Sequence, residues 1–258
     1  MSPNGISQTA TDPALTVRML RTLGLVATLS GLLVVLTYRT TLPIIEENKR
    51  LAIERALFKV IPGAVARQDF VISADGIHSA EPGIEGTTLY AGYDREGQLK
   101  GVALEAAAAG YQDVIRVLYG YDPYCQCIRG IEVLKMAETP GIGDKIAKDA
   151  EFQQNFVALE ARPHVSGTGL EHAIVPVKHG TKTDPWQIDA ISGATISSNA
   201  IARMLNDSSQ RVVPIIQQHL AVVEAGAMNI DNDRRDGPEA SLPASRIQLE
   251  ELRYARTP

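Results

Sequence analysis

The most apolar stretch of the chain runs from Thr22 to Tyr38 and contains no charged residue. A helix rises about 1.5 Å per residue and the hydrocarbon core of a bilayer is about 30 Å thick, so a spanning helix needs about 20 residues. Neighbouring residues extend the stretch to that length, and Arg21 and Arg39 can place their charges at the two interfaces. The pattern predicts a transmembrane anchor over residues 18–42.

A signal peptide and a buried helix both fit this stretch less well than an anchor does. A signal peptide would have a shorter apolar core and a small-residue cleavage site, and the segment VVLTYRTTLP has no such site. A core helix of a soluble domain is rarely apolar on all sides. Basic residues stand both before and after the stretch, so the positive-inside rule does not indicate an orientation.

After the anchor, apolar residues at helical spacing predict an amphipathic helix that ends at Pro62-Gly63. This helix either continues the membrane helix or hinges at Pro43. Residues 1–17 are small and polar and predict a disordered leader. Residues 225–258 lose periodicity and predict a flexible tail, which leaves residues 43–224 as the folded domain.

The middle of the chain has the alternation of strands joined by tight turns. The predicted strands fall in two hairpin pairs, 87–94 with 99–111 and 114–122 with 128–136. Shorter strands are predicted near residues 171–178 and 186–191. Helical patterns occur at 145–156 and at 197–225, the latter interrupted or restarted at Pro214. The predicted fold class is α+β, an antiparallel sheet flanked by helices with one N-terminal transmembrane helix.

Composition removes several function classes. The 258 residues carry a net charge of -5, which gives no basic footprint for nucleic acid. Two cysteines exclude a disulfide-rich scaffold and a four-cysteine metal or iron–sulfur site built from this chain alone. The five histidines have no compact ligand spacing, so no metal site is predicted. Glu138 could act as a general acid or base, but the sequence offers it no evident partner, so an orienting hydrogen bond is predicted for it and no catalytic residue.

The segment from Asp189 to Thr195 has the pattern of a strand, a small-residue turn and the start of a helix. Gly193 lets the backbone approach a ligand. Several hydroxyls lie near the predicted helix start, those of Ser192, Thr195, Ser197 and Ser198. The positive end of a helix favours a phosphate, and a hydroxyl there can be esterified by one. An ordinary helix cap remains the alternative.

This segment resembles the attachment motif of domains that carry covalent FMN. The resemblance implies that Thr195 is joined to FMN through a phosphoester, with Ser192, Gly193, Ala194 and Ser198 around it, which would make the chain a phosphoprotein in that sense. It also implies a flavin transferase that uses FAD as the donor and recognises Asp189.

A second segment, Glu138 to Ile146, is ETPGIGDKI and resembles a segment of the G subunit of the Rnf electron transport complex; the C subunit of the sodium-translocating NADH:quinone oxidoreductase is similar. Pro140 fixes one backbone angle and the glycines leave backbone uncovered, which suits contact with a flat ring. The resemblance adds Glu138, Thr139, Gly141 and Ile142 to the expected FMN contacts. Taken alone, the segment would be an ordinary strand-to-helix turn.

The resemblance implies a membrane-anchored flavoprotein subunit of an ion-translocating electron transport complex, a translocase. Its expected partners are the other membrane and iron–sulfur subunits, a flavin transferase during maturation, and the lipid bilayer. It implies a single-pass protein of the bacterial inner membrane with the folded domain on the periplasmic side. The isolated subunit is not expected to turn over a substrate.

Several alternatives stay open on the sequence alone. The chain could be a membrane-anchored FMN sensor or regulator outside an ion pump, or a flavin-free scaffold protein. A C-x-C disulfide is strained, so Cys125 and Cys127 are interpreted first as two ordinary thiols, with a redox, interface or metal role as the alternative. Trp186 is interpreted as a core residue, with stacking near the flavin as the alternative.

Overall fold

The computed structural model describes residues 13–73, 75–81 and 83–226. The chain divides into two compact units, Met1–Leu51 and Ala52–Pro258. The first 12 residues of the predicted leader and the predicted tail beyond Gly226 lie outside the described residues.

The N-terminal unit contains most of helix α1, which spans Pro13–Val60. Pro43 lies inside this helix and does not end it, so of the two possibilities left by the sequence the continuous helix is observed. The helix is long and apolar enough to cross a membrane, and none of its most apolar window is buried. Threonine hydroxyls in this part bond back to the helix, as Thr28 does to the carbonyl of Gly24 at 2.8 Å. Such internal bonds satisfy polar groups without water.

The second unit is built on a seven-stranded sheet in which every neighbouring pair is antiparallel. Its strand order is β2-β1-β3-β4-β5-β6-β7. The strands are β1 Ala66–Ser73, β2 Gly76–Ser79, β3 Thr87–Tyr93, β4 Leu99–Ala109, β5 Val114–Asp122, β6 Cys127–Lys135 and β7 Leu159–Glu160. The antiparallel α+β prediction is confirmed, as are the two central hairpins. The sequence pattern did not predict β1 and β2.

Helices α2 to α5 follow α1 along the described chain. They are α2 Lys145–Lys148, α3 Ala150–Gln154, α4 Thr195–Gln218 and α5 Leu220–Ala225. The single helix predicted over 145–156 is divided at Asp149, whose carboxylate accepts hydrogen bonds from the N–H groups of Glu151 and Phe152 and so caps α3. Helix α4 continues through Pro214, and the chain restarts as α5 after His219.

Each face of the sheet is covered by a different helix. The alternate residues of β3, β4 and β5 that point to one face form a core with α4, in which Leu104, Tyr119 and Ile201 are fully buried. The opposite face receives the end of α1, where Leu57 and Val60 pack against the sheet. The alternation of the strands therefore places apolar residues in two cores, one on each face of the sheet.

A separate pair of short strands, β8 Val175–Val177 and β9 Gln187–Asp189, is parallel. The sequence predicted both short strands, but not that they pair with each other. This pair delivers the chain to the turn that precedes α4.

The interpretation of Cys125 and Cys127 as two free thiols is wrong in this structure, where a disulfide joins them. Gln126 between them has φ 54°, in the left-handed region. This conformation folds the chain back and leaves the two Cα atoms 5.3 Å apart, within the range that a disulfide requires.

The contact between α1 and β5 is close enough to require glycine. A Cβ atom at Gly120 would overlap the backbone carbonyl of Val60, which cannot move aside as a flexible side chain can. Gly120→Ala should therefore lower the free energy of unfolding by about 1–3 kcal/mol or more, measured by urea unfolding of the full chain in detergent.

The matched control is Gly130, which pairs with Gly120 across the two strands. A Cβ atom there would lie 3.4 Å from the nearest atom of Val60, an ordinary contact. Gly130→Ala should leave the unfolding midpoint nearly unchanged. Equal effects of the two substitutions would show that the close approach at Gly120 is unimportant.

Candidate functional site

The two segments singled out in the sequence meet in one pocket of about 470 Å³. This volume lies within the range of about 300–1,000 Å³ that small-molecule sites occupy. Three segments line it: the β4–β5 turn, the loop after β6, and the turn that opens α4. The lining residues are Tyr111, Glu138, Thr139, Ile142, Gly143, Gly193, Ala194, Thr195, Ile196 and Ser197.

The loop after β6 is a tight turn centred on Pro140-Gly141. The N–H of Ile142 donates to the carbonyl of Thr139 at 3.1 Å, and Gly141 has φ +78°. Proline followed by a glycine of positive φ is the pattern of a type II turn. The turn carries Ile142 to the surface, where its side chain is 52% exposed at the pocket rim.

A carboxylate fixes the far end of this turn. Asp144 accepts a hydrogen bond from the N–H of Gly141 at 2.7 Å and another from Lys148 at 2.7 Å. The bond from Lys148 lowers the pKa of Asp144, and the bond from Gly141 lowers it further. The ionised carboxylate thus holds the turn at neutral pH.

Glu138 joins the three segments of the pocket. Its side chain is buried, with the residue 6% exposed. Oε1 accepts hydrogen bonds from the N–H groups of Tyr111 at 3.0 Å and Gln112 at 3.3 Å, and Oε2 accepts one from the hydroxyl of Ser197 at 2.5 Å. Buried carboxylates need such donors to offset the loss of water.

Two glycines leave room for this carboxylate. A Cβ atom at Gly110 would overlap Oε1 of Glu138, and one at Gly143 would lie 2.6 Å from Oε2. Both glycines therefore permit the close approach of backbone to Glu138. The sequence analysis expected the backbone at Gly143 to be uncovered for contact with a flat ring. In the structure the carboxylate of Glu138 lies next to this glycine.

Thr195 is the first residue of α4 and its side chain is exposed at the pocket. The preceding residue is Ala194, and within the described part of the chain no side chain caps the helix start. The first-turn N–H groups are thus left for another acceptor. Gly193 has φ +85° with open space where its side chain would be, which shapes the turn before the helix.

Ser198 supports this turn from behind. Its side chain is fully buried, and its hydroxyl accepts a hydrogen bond from the N–H of Ile191 at 3.1 Å. Ser198 therefore lies outside the pocket lining, as do Ser192 and Gly141. Thr195, Gly193, Ala194, Glu138, Thr139 and Ile142 are the sequence-predicted residues that the structure brings together there.

Asp189 lies at the end of β9 and outside the pocket lining. Both of its carboxylate oxygens accept from the N–H of Gly180, at 2.8 and 2.9 Å. The side chain of Asn155 bonds to the backbone N–H and carbonyl of Asp189. Burial lowers the pKa of nearby Lys182, and the charge of Asp189 partly opposes that effect.

Four lining residues, Tyr111, Gly143, Ile196 and Ser197, were not among the FMN contacts predicted from the sequence. Tyr111 and Ile196 expose large side chains at the rim, 66% and 53% accessible. Ser197 was counted only as a hydroxyl near the helix start, and its partner Glu138 stands 59 residues earlier. The role of Ser197 as a hydrogen-bond donor to Glu138 depends on a contact between distant segments, which the sequence pattern does not show.

Trp186 does not line the pocket. Its ring stacks on His172 with centroids 3.8 Å apart. His172 also hydrogen-bonds Glu160 at 3.1 Å, and with Glu171 these two form a group whose ligand atoms lie within 4.8 Å of one another. The stacking and the hydrogen bond account for the position of His172 without an ion, and we assign no metal to the group.

Residues 110–210 match the family model of the FMN-binding domain. This range contains the β4–β5 turn, Glu138 and its loop, and the start of α4. Every residue that lines the pocket therefore belongs to the matched domain. The chain carries an FMN-binding domain.

Relatives and a solved structure extend the likeness beyond that domain. The G subunit of an ion-translocating oxidoreductase complex from Methanosarcina acetivorans is 30% identical over 74% of this chain and 91% of its own length. The G subunit of Haemophilus influenzae strain PittEE is 30% identical over 45% of this chain, which spans about half of that relative's length. The crystal structure of Shewanella oneidensis NqrC shares the fold, with a TM-score of 0.53 and 18% identity, over 68% of this chain and 99% of that one. The chain therefore belongs to the family of G subunits of Rnf-type ion-translocating oxidoreductase complexes.

Proposed function

We propose that this chain is a membrane-anchored electron-carrying subunit that holds FMN through a phosphoester on Thr195. The observation that carries the proposal is the position of the Thr195 hydroxyl. It is exposed at the start of an uncapped helix and lines the pocket that both sequence motifs build. Neither motif alone distinguishes a cofactor site from an ordinary helix start.

The pocket suits a flat aromatic ring. Large apolar side chains usually avoid water, yet Tyr111, Ile142 and Ile196 are each more than half exposed around one opening. A ring bound among them would remove that apolar surface from water. Thr139 and the backbone around Gly143 would form the inner wall.

The start of α4 suits the phosphate. A phosphodiester keeps one negative charge, and the described residues that line the pocket include no lysine or arginine to neutralise it. The phosphate would instead be stabilised by the start of α4, a helix of 24 residues, through its free N–H groups and its positive end. The absence of acidic residues in the first turn of α4 agrees with this role.

Bound FMN would supply the redox chemistry, which the polypeptide tunes by position and charge. The described residues that line the pocket include one carboxylate and no histidine, lysine or arginine. Glu138 is the lining carboxylate there, and it is already committed to three donors. We infer that Glu138 positions the site and does not act as an acid or base.

We further propose that Asp189 is recognised by a flavin transferase that takes FMN from FAD. Transfer would form the bond between the Thr195 oxygen and the flavin phosphate and release AMP. Asp189 contacts Gly180 and not the pocket, so its part would be to present the folded turn to the transferase.

Residues 18–42 are proposed as the single membrane span and 43–224 as the FMN-binding domain on the periplasmic side of the inner membrane. The length and exposure of α1 support the span. The disulfide supports the orientation, because such bonds persist outside the reducing cytosol. The relatives are named as subunits of an ion-translocating oxidoreductase complex, which supports further subunits of such a complex as partners. We propose that these include membrane and iron–sulfur subunits.

Thr195→Ala should remove all covalently bound flavin, because alanine offers no oxygen to the phosphate. The exposed side chain makes no cap, so the free energy of unfolding should change by no more than about 0.5 kcal/mol. Intact-protein mass spectrometry after co-expression with a flavin transferase measures the loss. Thr195→Ser retains a hydroxyl and is the matched control, expected to keep part of the modification. An alanine variant with a full FMN increment would refute the attachment site.

Asp189→Asn should lower flavin attachment several-fold while the turn stays formed. The amide keeps an oxygen that can accept from the N–H of Gly180, but it removes the negative charge. Asp189→Ala loses both the accepting oxygen and the charge. Comparison of the two variants therefore separates the effect of the charge from the effect of the turn. Occupancy is measured by intact mass and folding by circular dichroism. Normal occupancy of the asparagine variant would mean that the transferase does not recognise the charge.

Glu138→Gln should lower the free energy of unfolding by about 1–3 kcal/mol, since an amide nitrogen would replace one buried acceptor and leave a donor unpaired. Ser197→Ala removes one of the three bonds and should cost less. Urea unfolding of the flavin-free Thr195→Ala background isolates this effect from cofactor binding. If the glutamine variant is as stable as the parent, Glu138 does not hold the three segments together.

A further inference from the structure

The disulfide at the β5–β6 turn lies apart from the residues that line the proposed FMN pocket. Cys125 is exposed, whereas Cys127 is 6% exposed and pairs in the sheet with Glu160 of β7. One sulfur therefore faces solvent and the other is shielded. We propose that Cys125–Cys127 is a second redox site, a thiol–disulfide exchange site for a dithiol protein that attacks the exposed sulfur of Cys125.

The chain around this disulfide favours its opening. The bond closes a ring of only three residues, and short loops gain the least from cross-linking. Gln126 is the one described residue other than glycine with a positive φ, at 54°. A left-handed backbone is unfavourable for a residue with a Cβ atom. The disulfide therefore closes over a strained backbone, and strained, exposed disulfides are the ones that exchange.

The turn is also held in place without the disulfide. Hydrogen bonds connect it to the residue that follows β7, to the end of α4 and to α5. They run from Ala161 N–H to the carbonyl of Gln126 at 3.0 Å, from Gln217 Nε2 to the carbonyl of Pro123 at 2.8 Å, and from the Tyr124 hydroxyl to Glu224 Oε1 at 2.7 Å. Reduction would therefore leave both sulfurs in a fixed frame and close together. The pair can re-form once the reductant is removed.

The flavin pocket cannot be the direct partner of this site. The pocket lies at the β4–β5 turn near Tyr111, and the disulfide lies beyond the opposite end of β5. The nine residues of β5 separate the pocket from the disulfide. At about 3.3 Å per residue, the length of this strand is roughly 30 Å. Sulfur exchange requires contact between the reacting atoms. A separate protein with two thiols must therefore approach Cys125.

The exchange balances in two steps. A thiolate of the partner attacks Sγ of Cys125, forming a mixed disulfide and breaking the bond to Cys127, whose sulfur leaves as a thiolate and takes a proton. The second partner thiol then attacks the partner's own sulfur in the mixed disulfide and releases Cys125 as a thiol. Two electrons and two protons pass to this chain, and the partner is left oxidised to its disulfide.

The test uses the full-length protein purified in detergent without reductant, with reduced thioredoxin as the probe. Acid quenching followed by thiol alkylation and intact mass should show no alkylated cysteine before treatment and two after it. Reduction of the folded protein should be at least tenfold faster than with glutathione at equal thiol concentration. The Cys125→Ser/Cys127→Ser double variant is the matched control and should take up no alkyl group.

A thioredoxin variant without its second cysteine should trap a mixed disulfide that maps to Cys125. Flavin absorbance during reduction should match that of the double variant. The proposal is overturned if both thiols are free in the untreated protein, or if reduction requires urea. Trapping at Cys127 or a flavin signal that follows the disulfide would overturn it as well. These readouts do not depend on Thr195, so they remain valid if flavin attachment there is disproved.

Discussion

The pocket depends on one buried carboxylate. Glu138 accepts hydrogen bonds from the β4–β5 turn and from the first turn of α4, while its own backbone belongs to the loop after β6. Three segments that are distant along the chain are thus fixed to a single side chain. A buried carboxylate that lost these donors would be strongly unfavourable. We therefore expect the hydrogen bonds to Glu138 to form together or not at all. The position of Thr195 at the pocket follows from it.

The sheet makes this meeting of segments possible. The β4–β5 turn and the loop after β6 emerge at one end of adjacent antiparallel strands, and α4 crosses the face of the same sheet. Gly110 and Gly143 then let backbone approach the carboxylate. At the other end of β5, the turn with Cys125 is tied to the end of α4. Strand β5 therefore separates two chemically different ends of one domain.

The sequence predicted the elements better than their contacts. Alternation identified the hairpins of β3–β6, and the string around Thr195 identified the candidate acceptor residue because its chemistry is local. The fixed φ of Pro140 and the freedom of Gly141 likewise predicted a turn. By contrast, the bond between Ser197 and Glu138 joins residues 59 positions apart, and no periodicity encodes it. The disulfide was missed because the left-handed conformation of Gln126 is imposed by its surroundings and is unusual for glutamine.

The bond of Asp189 to Gly180 has a consequence for biosynthesis. The pairing of β8 with β9 brings residues 180 and 189 together, so the bond between them belongs to the folded domain. An enzyme that recognises the aspartate in this geometry would distinguish finished domains from nascent or misfolded chains. Flavin would then be attached only after the domain has folded, and the yellow colour of a molecule would show that its polypeptide was folded when the cofactor was added.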